Sequence, residues 1–208
     1  AMKKILLSIL LLPITASAVD FEFGTGATHY KTAHDGLWYQ ESYPHRLDLN
    51  SVPMSLGISH KIGNTRLRAE YIYLGWMYSS AVWASDGDYH PGTTAPPIYI
   101  GNGKGSVSGI ILSVSRDVNI LGVPFYAEAG PFFYVPKWSV EIRAYKMRTY
   151  LYDLTTTSQW RVGSMLGFGV RYSGVDVSIK YLGMQYNQSE PFPPIWDHAY
   201  VLETKVYF

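Results

Sequence analysis

Serine, histidine and aspartate are the usual parts of an activated nucleophile, and this chain carries them in separate stretches: His29 and His34, then Ser85 and Asp86, then His198. A histidine within hydrogen-bond reach of the serine would give an acyl-transfer site. Six histidines and many serines make such co-occurrence easy, and solvated or interfacial histidines would look the same. His60 falls on an apolar stripe and reads as interfacial. A second set of ionisable residues recurs on one parity of successive stretches: the acids Glu22, Glu70, Glu128, Asp176 and Glu203, and the bases Arg66, Arg68, Arg161, Arg171, Lys180 and Lys205. Aligned in a closed interior, they would form an ion path or proton relay, or an internally paired network that satisfies its own charge. Cysteine is absent, no metal-ligand spacing occurs, and "GNGKG" at 101–105 lacks the strand and helix context of a phosphate-cradling loop. No residue is assigned to catalysis, to a cofactor or to a metal.

The elements that must position these residues have a period of two. Phe21, Phe23 and Ala27 alternate with Glu22, Gly24 and Gly26; Val52, Met54, Leu56, Ile58 and Ile62 alternate with Ser51, Ser55, Ser59 and Lys61. Leu67, Ala69, Tyr71 and Tyr73 stand against Arg66, Arg68 and Glu70, and Ile110, Leu112 and Val114 form the apolar side of a less regular stretch. Phe125, Ala127, Ala129 and Phe133 face away from Tyr126, Glu128 and Gly130. In "WRVGSMLGFGVRY" the residues Trp160, Val162, Leu166, Phe168, Val170 and Tyr172 alternate with Arg161, Gly163, Gly167, Gly169 and Arg171. Val175, Val177, Ile179 and Tyr181 alternate with Asp176, Ser178 and Lys180, and Tyr200, Leu202, Val206 and Phe208 with Glu203 and Lys205. Such patterns are those of strands with one apolar and one polar face, and no amphipathic helix competes with them.

Eight strands are expected, and their connections alternate in length. The segments at 63–65, 117–122 and 173–174 are tight, whereas those at about 31–49, 79–104, 136–158 and 187–197 are long. An antiparallel sheet of this kind has its short turns at one end and its long loops at the other, the pattern of an outer-membrane β-barrel. Lipid offers backbone groups no hydrogen-bond partner, so a spanning sheet must close on itself. A secreted soluble sandwich would also alternate, with the apolar stripe inside. Pro53 and Pro131 interrupt the ladder and mark expected bulges or strand ends, beyond which the alternation would shift.

The ends of the chain fit export and closure. After a surplus Ala1, "MKK", the apolar "ILLSILLLPI" and the small residues of "TASA" form an expected signal peptide over residues 1–18. The apolar run is shorter than the ~20 residues of a membrane-spanning helix. Removing it takes the formal charge from +1 to +1 − 2 = −1, which suggests no nucleic-acid partner and no polybasic anchor. Residues 19–208 then form one barrel domain, rich in aromatics and turn formers with 18 Tyr, 6 Trp and 19 Gly. Its last strand is expected to end at Phe208 because it pairs with the first.

The whole plan resembles the small eight-stranded outer-membrane barrels of the OmpX, Ail and OmpA-domain type. That resemblance implies a monomer in the outer membrane of Gram-negative bacteria, with Phe208 read by the outer-membrane assembly machinery. "PFYAEAGPFF" and "GFGVRYSGVDVSIKYLGMQYNQ" are similar to strands of lipid A deacylases, but the positions matching their His-x-Ser-Asn arrangement are Met184, Gln185, Tyr186 and Asn187, so base and nucleophile are missing. Lipid A acyltransferases place His, Asp and Ser in outer loops, which keeps a lipid A-modifying enzyme as the alternative. An eight-stranded interior is only wide enough for side chains, which disfavours a diffusion pore. The expectation is therefore an all-β, eight-stranded antiparallel transmembrane up-and-down β-barrel without enzymatic function. Its surface loops, rich in Trp, Tyr, His and Arg, would meet lipopolysaccharide, host or phage components.

Overall fold

The computed structural model describes residues 19–32, 37–40, 43–84, 98–144, 150–157, 159–184 and 196–208. The described elements are strands: β1 Val19–Thr32, β2 Leu37–Gln40, β3 Tyr43–Asp48, β4 Asn50–Ser51, β5 Met54–Ile62, β6 Thr65–Ala84, β7 Ile98–Ile120, β8 Val123–Ala144, β9 Tyr150–Thr157, β10 Arg161–Tyr172, β11 Val175–Gly183 and β12 Trp196–Tyr207. Eight of them form a closed ring in the order β1-β5-β6-β7-β8-β10-β11-β12 and back to β1, each antiparallel to its neighbours. Chain neighbours are sheet neighbours throughout the ring, which makes it an up-and-down barrel. Closure is completed by Phe21 and Phe208, whose backbone N–H and C=O groups bond each other at 3.2 and 2.9 Å.

Tight turns join the strands at one end. In the β7–β8 turn Leu121 and Gly122 both have positive φ, as do Ser173 and Gly174 between β10 and β11. Two successive left-handed residues give the primed turns whose twist matches that of the flanking strands. The segment expected as a six-residue turn at 117–122 is in fact a two-residue turn, because Asp117–Ile120 remain paired with Val123–Tyr126. At the other end the long connections are partly sheet: β6, β7 and β8 run 20, 23 and 22 residues. A strand crossing a bilayer at the usual tilt needs ~9–11 residues. β9 extends the sheet along β8, while β3 pairs with β6 and β2 pairs with β3. The long connections thus build a sheet that projects past the barrel on one side.

Pro53 behaves as expected, since it falls in the break between β4 and β5. Pro131 does not. The β8–β10 register is constant from Arg161↔Tyr134 to Val170↔Phe125, with Ser164 opposite Pro131 and no bulge. Pro131 faces outward and the alternation continues beyond it, with Phe132 and Tyr134 buried. A register shift within the ring lies instead in β6, between Tyr73 and Trp76, where Gly75 has φ +83° and a Cβ would stand 2.6 Å from the Val52 carbonyl oxygen. The carbonyls around this bulge are satisfied by side chains: Tyr30 Oη donates to Gly75 O at 3.0 Å and Ser51 Oγ to Leu74 O at 2.5 Å.

Candidate functional site

Each strand of the ring presents one parity outward. Phe21, Leu56, Ile58, Leu67, Leu112, Val162, Leu166, Phe168, Ile179 and Leu202 are all exposed on it. The opposite parity is inward, and its polar members are buried: Glu203, Lys205, Asp176 and Lys180 are fully covered, and Glu22, Arg68, Glu70 and Glu128 nearly so. A soluble barrel would have the reverse arrangement.

The buried charges form one network at the turn end. Arg68 Nε lies 2.8 Å from Glu22 Oε2, its Nη1 2.7 Å from Glu128 and its Nη2 3.3 Å from Asp176. Tyr207 Oη accepts from Arg68 at 2.9 Å and donates to Asp176 at 2.6 Å, and Tyr126 Oη donates to the other Asp176 oxygen at 2.6 Å. Lys180 donates to both oxygens of Glu70, at 2.6 and 2.8 Å, and lies 2.7 Å from Glu203. Lys205 also binds Glu70, while Ser55 donates to Glu203 and Ser113 to Glu128. Arg66 bridges Asp20 at 2.5 Å and Ser59 at 2.7 Å, and Arg171 bonds Asp117 at 2.7 Å with its guanidinium over the Tyr126 ring. Pairing on this scale is what allows buried ions to persist in a low-dielectric interior. Arg161 was expected in this stripe but stands apart from it, opposite Tyr134 at the loop end of β10. Its parity is right, but its strand position is too far from the turn.

Above the charges the interior changes character. Moving from turn end to loop end, β6 passes from Arg66, Arg68 and Glu70 to Ile72 and Leu74, and β8 passes from Tyr126 and Glu128 to Phe132 and Tyr134. β11 passes from Asp176 and Lys180 to Leu182 and Met184, and β12 from Lys205 and Glu203 to Val201 and Ala199. With Tyr30, Met77, Val107, Ile111 and Met165 these residues form a buried apolar tier. Trp138 lies over this end, its ring so close to β7 that a Cβ at Gly103 would meet Cζ2 at 2.6 Å. The polar face expected on each strand is thus inward, but it is ionic only at the turn end and apolar at the loop end. The signal was present where "YIYLGW", "PFFYV" and "YLGM" lose their alternation, since apolar residues on both parities mean that both faces avoid water.

The candidate nucleophile chemistry is not assembled among the described residues. His29 and His198 both lie on the outward parity of adjacent strands, with Lys31 opposite His198 and His29 opposite Tyr200. His29 Nδ1 is 3.0 Å from Asn50 Oδ1 and His198 Nδ1 3.0 Å from Asp197 Oδ2, and the His198 ring packs with Tyr181 and Tyr200 at centroid distances of 5.2 Å each. This is an interfacial aromatic cluster. His34, Ser85, Asp86, Gln185, Tyr186 and Asn187 lie outside the described residues, as do residues 1–18. Met184 is buried in the apolar tier, turned away from the lipid-facing surface. His60 lies beside the Gly63 turn, on the outward parity.

A closed antiparallel ring with an apolar exterior, interfacial aromatics and a paired ionic interior defines a transmembrane β-barrel of the bacterial outer-membrane type. No family model matches the chain, and no curated protein matches it either. Among solved structures it is similar to Neisserial surface protein A, at 12% identity and TM-score 0.47, over 92% of this chain and 98% of that one. It is similar to the attachment invasion locus protein Ail of Yersinia pestis, at 10% identity and TM-score 0.46, over 92% of this chain and 100% of that one. The translocator domain of the autotransporter NalP from Neisseria meningitidis follows at 11% identity and TM-score 0.39, over 100% of this chain and 94% of that one.

Proposed function

We propose that this protein is a non-enzymatic, monomeric barrel of the bacterial outer membrane, closed to diffusion, whose loop-end surface engages lipopolysaccharide, host or phage components. The observation that carries the reading is the division of the interior: an ionic network at the turn end and an apolar tier at the loop end leave the barrel filled by its own side chains. Binding then belongs to what projects. At about 2.5 Å of height per residue in a tilted strand, the ~10 residues of β6, β7 and β8 beyond a membrane crossing would raise the sheet on the order of 25 Å above the bilayer. On this reading residues 1–18 are the export signal, residues 19–208 are the barrel domain, and the assembly machinery reads the strand ending at Phe208.

Two measurements test it together. Purified protein in planar bilayers should give no stable porin-like conductance; large persistent channels would refute the sealed interior. Mass spectrometry of lipid A from cells with and without the protein should show the same acylation pattern. A changed pattern would replace the binding role with lipid A modification.

A further inference from the structure

The outward face of β6, β7 and β8 carries a second feature at the loop end. Strand register places Trp76, Ser106 and Lys137 in one row across the three strands, and Tyr78, Lys104 and Ser139 in the next row toward the loops. All six positions belong to the parity that continues the lipid-facing stripe of Ile110, Leu112 and Val114 on β7. Lys104 and Lys137 are exposed, and Lys104 Nζ lies 5.0 Å from the centroid of the Trp76 ring, which packs edge-to-face against Tyr73 at 6.0 Å. Tyr78, beside Lys104, is 55% exposed.

The lysines are diagonal neighbours on adjacent strands, a spacing of about 7–8 Å between backbones that long side chains easily close. The two rows hold no carboxylate on these three strands. Glu141 is one row further on, opposite Asn102, and Asp48, opposite Tyr78 on β3, accepts the Asn50 backbone N–H at 3.1 Å. On the outward parity Lys137 lies two positions past Val135 and Lys104 six past Ile110, so they stand on the order of 5 and 15 Å beyond the last apolar residues of their own strands. Aromatic rings at that boundary mark the head-group layer. A pair of ammonium groups above an aromatic belt suits a compact, doubly ionised anion tethered to the lipid beside it.

We infer that Lys104, over the Trp76 ring and beside Tyr78, and Lys137 on the next strand form a docking site for the phosphorylated sugar head group of an outer-leaflet glycolipid. The inference rests on the outer-membrane reading above and assigns the lipopolysaccharide contact to this face of the barrel. The lipid's acyl chains lie along the apolar stripe below, and its phosphate reaches up to the two lysines.

The test uses the full barrel in phosphatidylcholine nanodiscs doped with bisphosphorylated lipid A, with lipid retained after affinity capture measured by mass spectrometry. Heat-modifiable migration on gels first establishes that each sample is a folded membrane barrel. If the protein does not insert, the membrane reading fails before this one is reached. Wild type should retain lipid A, and Lys104→Ser/Lys137→Ser should require about 30-fold more for equal retention, the effect of two lysines on a surface anion. Lys104→Arg/Lys137→Arg should restore retention, and dephosphorylated lipid A should be held weakly and equally by all three proteins. Equal retention of the phosphorylated lipid by wild type and the double Ser variant, or retention indifferent to the phosphates, would overturn the site.

Discussion

Arg68→Met removes the cation at the centre of the ionic network while keeping an unbranched, similar-sized side chain. The network sets five buried acids (Glu22, Glu70, Glu128, Asp176, Glu203) and the half-buried Asp20 and Asp117 against five bases (Arg66, Arg68, Arg171, Lys180, Lys205), so the variant leaves seven against four. Arg68 alone lies within 3.3 Å of three of those carboxylates and bonds Tyr207 as well. Glu128 would keep only Ser113, and Asp176 would depend on Arg171 at 3.4 Å and two tyrosine hydroxyls. Removing one partner from a buried ion pair costs about 3–5 kcal/mol, because an uncompensated charge stays behind. The expected result is a urea midpoint lowered by that amount divided by the slope, measured from the heat-modifiable band in detergent micelles. Glu128→Gln in the same chain removes the most exclusively dependent carboxylate, so Arg68→Met/Glu128→Gln should recover part of the loss, with a coupling of about 0.5–3 kcal/mol. If Arg68→Met unfolds within about 1 kcal/mol of wild type, or if the second change adds its full cost to the first, the charges are not buried as a mutually satisfied network and the interior has been misread.

Phe208→Asp should leave export intact but lower the amount of assembled barrel in the outer membrane, while Phe208→Tyr preserves it. The direct lipid cost of a charge at the interface is only about 0–1 kcal/mol, so a severe defect reports lost recognition, and wild-type assembly of Phe208→Asp would refute the assembly-signal reading. A cysteine at Thr155 on β9 should react with an impermeant reagent on intact cells and one at Asn64 should not; the reverse would invert the topology. Leu121 is fully exposed and held at φ +53°. Leu121→Asn should therefore stabilise the β7–β8 turn by roughly 0.5–1 kcal/mol in the same urea assay, and a lower midpoint would mean that the leucine makes a contact worth more than the strain. Leu74→Ala, in the apolar tier, should lower stability by about 2–5 kcal/mol without opening a conductance, and stable channels in that variant would show the tier to be the gate.

The one-dimensional pattern was enough to establish strand identity, parity and direction. A period of two assigns each side chain to one face whatever the tertiary context, and alternating short and long connections orient the ends. The exposed Leu56, Ile179 and Leu202 and the buried Glu70, Lys180 and Lys205 all lie on the faces that their parity predicts. Height around the ring is different, because it depends on how eight registers combine. Arg161 shares the inward parity of Arg171 but lies at the opposite end of the same strand, and the β8–β10 register sets it beside Tyr134, in a tier without the carboxylates that hold Arg171. Pro131 reads as a bulge in isolation, but continuous pairing with β10 holds the strand through it, and on the β7 side the ladder skips Pro131 and Gly130 and resumes at Val114↔Ala129 in the same register. The mutual neutralisation of Arg68 by Glu22, Glu128 and Asp176 draws on residues from four different strands. The diagonal approach of Lys104 and Lys137 likewise exists only after β7 and β8 have aligned. Parity is a local property of the chain, set by the pleat of each strand, whereas height and charge pairing arise when the ring closes.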